Sequence, residues 1–91
     1  MGSEPLAEPW LRSIAVNVRR LRERQNRTQE DLARAARVAP RYVQEVERAR
    51  TNMSLTMLVK LAAALDVDPR RLLKPAPDLP AASPGRPRRK R

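Results

Sequence analysis

Proline placement constrains this chain more than any other feature. Of its nine prolines, seven lie at positions 5, 9, 75, 77, 80, 84 and 87, outside a window from 10 to 74. Inside that window only Pro40 and Pro69 occur, each at the start of an apolar-periodic segment, where a missing N–H costs little. The window therefore reads as helices with proline at their starts. Residues 1–9 are expected to be a loose leader and 75–91 a disordered tail ending Arg86-Pro-Arg-Arg-Lys-Arg91.

Five helices are predicted. The first covers 10–25, where Leu11, Ile14, Ala15, Val18 and Leu21 recur on one face and Asn26 suits a left-handed stop. The second covers 29–36, with Thr28 as N-cap and Asp31 completing a capping box. The third covers 40–48, with Val43 and Val46 inward and Val38 packing at its start. The fourth covers 55–65, capped by Ser54, with a stripe of Leu55, Leu58, Leu61, Ala62 and Leu65. The fifth is short, 69–73, with Asp68 as cap. No segment alternates with period two, so the predicted fold is all-α, one compact domain over 10–74 with a thin core.

Three residues, 37–39, join the second and third helices, and so tight a connection makes a helix-turn-helix with Ala33 as the small residue at the crossing. Charge points to the partner. Lys+Arg number 20 against Asp+Glu 10, a net +10 that suits nucleic acid first and an acidic membrane surface second. Arg37, Arg41, Arg48 and Arg50 fall on or beside the presented helix, so an acidic partner is expected there.

Other classes fall away on inventory. With no Cys and no His there is no disulfide, no Cys/His zinc site and no such nucleophile or acid–base group, so no enzyme, metal or cofactor is expected. The only glycines are Gly2 and Gly85, too far apart for a phosphate-cradling loop. No apolar run reaches the roughly 18 residues of a membrane span, and the acidic, proline-broken start is not a signal peptide, so a cytoplasmic protein without membrane contact or small-molecule ligand is expected. Trp10 and Tyr42 are the only aromatics, which weighs against RNA stacking platforms. A protein-interaction module, such as a coactivator or antitoxin-like partner-binding protein, remains the alternative.

The stretches Leu21-Arg22, Thr28-Gln29-Glu30-Asp31-Leu32-Ala33, Tyr42-Val43-Gln44-Glu45-Val46-Glu47-Arg48, Ser54-Leu55 and Leu58 through Leu65 resemble the lambda-repressor-like, Xre-type helix-turn-helix domain. The resemblance spans about 10–73. It departs at Arg37 and Ala49, where glycine is usual, at Ala39, where Ser or Thr caps, at Met53 for proline, and at Arg27 for an apolar residue. It implies a five-helix domain, often a homodimer, that binds a double-stranded DNA operator with the third helix in the major groove. Carried over, the base-contacting positions are Pro40, Arg41, Gln44 and Glu45. Gln29 is a phosphate contact, joined on the backbone side by Thr28, Arg37, Arg48 and Arg50 and by Tyr42, for which packing on a neighbour is the equal alternative. Glu45 either accepts from a cytosine amino group or orients Arg41. Arg22 and Glu47 match a structural ion pair. Leu72 and Leu73 offer apolar surface for a two-fold dimer on a palindromic operator, or else close the monomer core.

Overall fold

The computed structural model describes residues 4–75. It is all-helical: α1 spans Glu4–Arg24, α2 Gln29–Ala36, α3 Pro40–Glu47, α4 Leu55–Ala64 and α5 Pro69–Leu72. No strand occurs among the described residues. The expected disordered tail lies outside them from residue 76 onward, as do residues 1–3 of the expected leader.

The leader is corrected where it is described, because α1 begins at Glu4 rather than at residue 10. Pro5 falls in the first turn, where its absent N–H has no intrahelical partner to lose. Pro9 forfeits one bond, to the carbonyl four residues back, near the open end of the helix. Packing offsets that loss: Ala7, Trp10 and Leu11 line an apolar recess with Leu55, Leu58 and Leu73.

Val18, Leu32, Val43, Leu61, Leu65 and Leu72 are fully enclosed and take one residue or more from each helix, so the core holds all five together. Leu72 is therefore core and not dimer surface, which corrects the expectation for it. Leu73 is half-buried. At the far end of the chain, the buried Asn17 amide donates from Nδ2 to the Leu72 carbonyl at 2.9 Å and the Lys74 carbonyl at 2.8 Å. A single side chain of α1 thereby satisfies the carbonyls that end α5.

The helix starts follow the side-chain chemistry. Thr28 Oγ1 accepts from the Asp31 amide while Asp31 Oδ2 accepts from the Thr28 amide, both at 2.9 Å. Ser54 caps α4 through the Met57 amide. Asp68 caps α5 through the Arg70 amide, and the Arg70 guanidinium helps to lower its carboxyl to about 2. That carboxylate's contribution is complete above its ordinary pKa near 4 and is lost as pH falls through about 2. Ala39 gives α3 no side-chain cap.

The helix ends share one solution without glycine. Asn26, Arg37, Ala49 and Asp66 sit at φ 57°, 61°, 57° and 61°. In each case the next residue's amide reaches back five positions: Arg27 to Arg22, Val38 to Ala33, Arg50 to Glu45 and Val67 to Ala62. These are four Schellman closures. Asn and Asp tolerate the left-handed region, whereas Arg37 and Ala49 strain in it. Ala49→Gly is therefore expected to raise stability by about 0.5–1 kcal/mol, the strain relieved less the extra entropy of glycine. Urea denaturation measures it, and an unchanged midpoint would show that Ala49 is unstrained.

Candidate nucleic-acid interface

The turn between α2 and α3 is set by backbone geometry. Arg37 turns left-handed, the Val38 amide bonds the Ala33 carbonyl at 3.0 Å, and Ala33 is almost wholly buried at the crossing. Val43 and Val46 then face the core. Positions 41, 44 and 48 stand three and four apart, so Arg41, Gln44 and Arg48 form one stripe, and all three are exposed. Pro40 is exposed at the start of α3 and Glu45 is half-buried beside the stripe. No ion pair joins Arg41 to Glu45 among the described residues. Arg37 and Arg50 are exposed at either end of α3, and Thr28, though exposed, spends its hydroxyl on the cap.

Behind this surface lies a polar clamp. Arg22 Nε donates to Glu47 Oε2 at 2.7 Å and Arg22 Nη2 to Glu47 Oε1 at 3.1 Å, a two-point fork joining α1 to α3. The two side chains are only 12% and 5% exposed. Arg22 Nη1 donates to the Arg27 carbonyl at 2.8 Å, and Gln29 Nε2 donates to Glu47 Oε1 at 3.0 Å. The Glu47 carboxylate thus accepts three bonds, and its hydrogen bond with Arg22 raises the guanidinium pKa further. Gln29 has one amide N–H in the clamp and a second one left over.

Tyr42 is not where a phosphate contact must be. Its ring packs against the core, and its hydroxyl is buried with no hydrogen-bond partner. Burial pushes the phenol pKa up. Of the two expectations for Tyr42 the structure favours packing and corrects the backbone contact: position 42 lies on the inward side of α3, with Val43 and Val46.

Sequence reasoning missed what Arg27 does. Arg27 Nη1 donates to the Ala64 carbonyl at 2.6 Å, and Gln25 Nε2 to the Leu65 carbonyl at 2.9 Å. Two side chains from the loop after α1 therefore close the C-terminal end of α4, where a cation is favoured. The departure from an apolar residue at Arg27 was the available signal.

A short helix crossed at an alanine by a second, exposed helix, both tied to a scaffold by one buried ion pair, defines a helix-turn-helix domain. The helix-turn-helix family pattern matches residues 18–72, and the chain belongs to that family, the Xre or lambda-repressor-like class. A hypothetical transcription factor of Neisseria meningitidis serogroup B is 42% identical over 62 residues, 68% of this chain. The chain spans 58% of that relative's length. Among solved structures, the restriction-modification controller protein C.AhdI from Aeromonas hydrophila is 40% identical with a TM-score of 0.66, covering 68% of this chain and 94% of its own. The Neisseria hypothetical transcription factor NHTF is 39% identical with a TM-score of 0.71, covering 72% and 76%. The clp gene regulator ClgR from C. glutamicum is 30% identical with a TM-score of 0.66, covering 70% and 83%. These are regulators and not enzymes, and no described helix is long and apolar enough to cross a membrane.

Two substitutions test this architecture. Arg22→Ala strands the enclosed Glu47 carboxylate and is expected to cost about 3–5 kcal/mol, most of it recovered when Glu47 is also replaced by an apolar residue. Urea denaturation of the single and double variants reads both effects; a single variant as stable as the parent would mean that the clamp carries nothing. Tyr42→Phe removes an unsatisfied buried hydroxyl and is expected to raise stability by about 1 kcal/mol. A loss of stability on that change would reveal a partner for the hydroxyl.

Proposed function

We propose that this chain is a sequence-specific double-stranded-DNA-binding transcription regulator of the cytoplasm, a repressor or autoregulator that lays α3 in the major groove. The observation that carries the reading is the exposed stripe of Arg41, Gln44 and Arg48, flanked by Arg37 and Arg50, with none of these four arginines in an ion pair among the described residues. Arginine forks in such a place match guanine O6 and N7 or phosphate oxygens. The relatives agree in kind: one is a restriction-modification controller, another a clp gene regulator.

Within this reading Arg41 reads a guanine, with Gln44 beside it. Pro40 offers only an apolar contact to a thymine methyl. Glu45, unpaired with Arg41 in the free protein, either orients it on the operator or accepts from a cytosine amino group. Thr28, Arg37, Arg48 and Arg50 hold the backbone. Gln29 does the same with its second amide N–H, so the phosphate it touches is linked through Glu47 to Arg22. The chain acts as a homodimer on a palindromic operator. With Leu72 enclosed, the surface for the second copy falls to Leu73 and its neighbours Trp10 and Leu55, which are 57% and 73% exposed.

Arg41→Ala and Gln29→Ala separate reading from holding. Arg41→Ala is expected to cost about 1–3 kcal/mol of operator affinity and to relax preference at one base position per half-site. Gln29→Ala is expected to weaken every site by a similar factor. Binding of both variants to a panel of single-base operator mutants decides it. An even loss across the panel for Arg41→Ala would make Arg41 a phosphate clamp, and no preference in the parent protein would remove the sequence-specific reading.

A further inference from the structure

The two ends of α3 are held differently. At the C-terminal end, Glu47 is forked to Arg22 and bonded by Gln29. The N-terminal end has no such clamp. Ala39 gives no side-chain cap, and Pro40 has no N–H to offer. Among the described residues one side chain alone bonds to the connection 37–39. Lys60 Nζ of α4 donates to the Arg37 carbonyl at 3.5 Å, across 23 positions of sequence. No described backbone amide reaches that carbonyl.

Lys60 is out of keeping with its helix. It is the one charged residue of Leu55–Ala64, and it is half-buried without a carboxylate paired to it among the described residues. Its ammonium lies at the C-terminal end of α2, where the helix dipole favours a cation. The dipole explains a cation there, but not the choice of carbonyl. Arg37 turns the chain left-handed, at φ 61° and ψ 46°, which strains a residue that carries a Cβ. Such strain persists only where the surroundings hold it. The carbonyl that Lys60 grips is oriented by the Arg37 ψ torsion, and the same torsion sets the direction in which residues 38–40 leave. Of the four left-handed residues, Arg37 alone has its carbonyl bonded by a side chain among the described residues, and it alone leads within three residues into α3.

A small turn at Arg37 has a large effect further on. Arg41 stands six residues from Glu47, about 9 Å along the helix axis. With the Glu47 end clamped, a tilt of about 5° carries the backbone of Arg41 by roughly 0.8 Å. Recognition by a two-donor fork tolerates about 0.5 Å. Resting on the reading of α3 as the DNA-contacting helix, we infer that Lys60 is a positioning residue for base recognition. Through the Arg37 carbonyl it fixes the angle at which the first turn of α3, and with it Arg41, meets the groove. It does so from α4 without touching DNA. The recognition helix is then pinned at both ends by side chains of other helices, Arg22 of α1 at one and Lys60 of α4 at the other.

The test uses the full chain and an operator selected from random DNA with the parent protein. Lys60→Met keeps an unbranched stem and removes donor and charge, whereas Lys60→Arg keeps both. Each is titrated against the single-base operator panel at several salt concentrations. Lys60→Met is expected to weaken the parent operator by roughly threefold to tenfold, the worth of one hydrogen bond. The loss concentrates at the base position whose discrimination Arg41→Ala also relaxes, and the salt slope is unchanged. Lys60→Arg retains most of the discrimination. In the free protein, hydrogen exchange at the Val38 and Arg41 amides quickens in Lys60→Met while α1 stays protected. An even loss at every base position with a shallower salt slope overturns the inference in favour of a direct phosphate contact by Lys60. Parent-like discrimination in Lys60→Met overturns it as well, and a lowered urea midpoint beside that result makes Lys60 a helix-end cap and nothing more. A parent protein that selects no sequence removes base recognition itself, before any variant is compared. Failure confined to the Lys60 variants leaves the DNA-binding reading standing.

Discussion

The fork between Arg22 and Glu47 is the interaction on which the rest of the structure depends. It joins the last turn of α1 to the last residue of α3 through two short bonds in an almost enclosed setting. A charge pair so placed adds little net stability over apolar residues of the same shape, but it tolerates no other geometry. Gln29 extends it to the start of α2 and the Arg27 carbonyl to the loop before it. The orientation of the exposed helix is thereby fixed by three hydrogen bonds to one carboxylate. Apolar packing alone would permit α3 to slide or roll by small amounts. The role proposed for α3, carried by side chains on an eight-residue helix, tolerates little such freedom.

Much of this was legible in the chain itself. Four of the five helices start where the caps and prolines place them, because Thr28, Ser54, Pro40, Asp68 and Pro69 act through backbone groups within three residues. Local chemistry is what a sequence displays most directly. The misreadings have equally physical causes. Pro5 and Pro9 suggest a loose leader, yet a proline near the open end of a helix removes at most one bond, and the packing of Ala7, Trp10 and Leu11 outweighs it. The sequence leaves Leu72 open between dimer surface and core because a four-residue helix has too few positions to show which face is buried. Tyr42 carries a hydroxyl that composition alone treats as polar, while its position on α3 turns it inward. The roles of Asn17 and Arg27 rest on contacts 37 to 57 residues away in sequence, which no local pattern encodes.

Charge is concentrated on one face. It surrounds α3 and the turn before it, while i, i+3 or i, i+4 pairs with Glu8, Glu23 and Asp31 dilute the field on much of α1 and α2. A small basic domain that presented its whole excess evenly would adhere to any polyanion in any orientation. Concentrating the uncompensated arginines gives approach a direction. The apolar surface around Trp10 and Leu55 has no charged residue among those lining it.

The bonds from Asn17 to the carbonyls of Leu72 and Lys74 also set a schedule. They link residues 55 and 57 positions apart, so Asn17 cannot meet these carbonyls until almost the whole domain has been synthesised. At about 5–20 residues per second, roughly 3–11 s pass between the translation of one end of that contact and the other. During that interval the Ile14, Val18 and Leu21 face of α1 leaves the ribosome before the leucines of α4 and α5 that will cover it. The α1 segment is then an amphipathic cationic helix with an open apolar side. That is the stage at which it most needs shielding by a chaperone or by the ribosome surface itself.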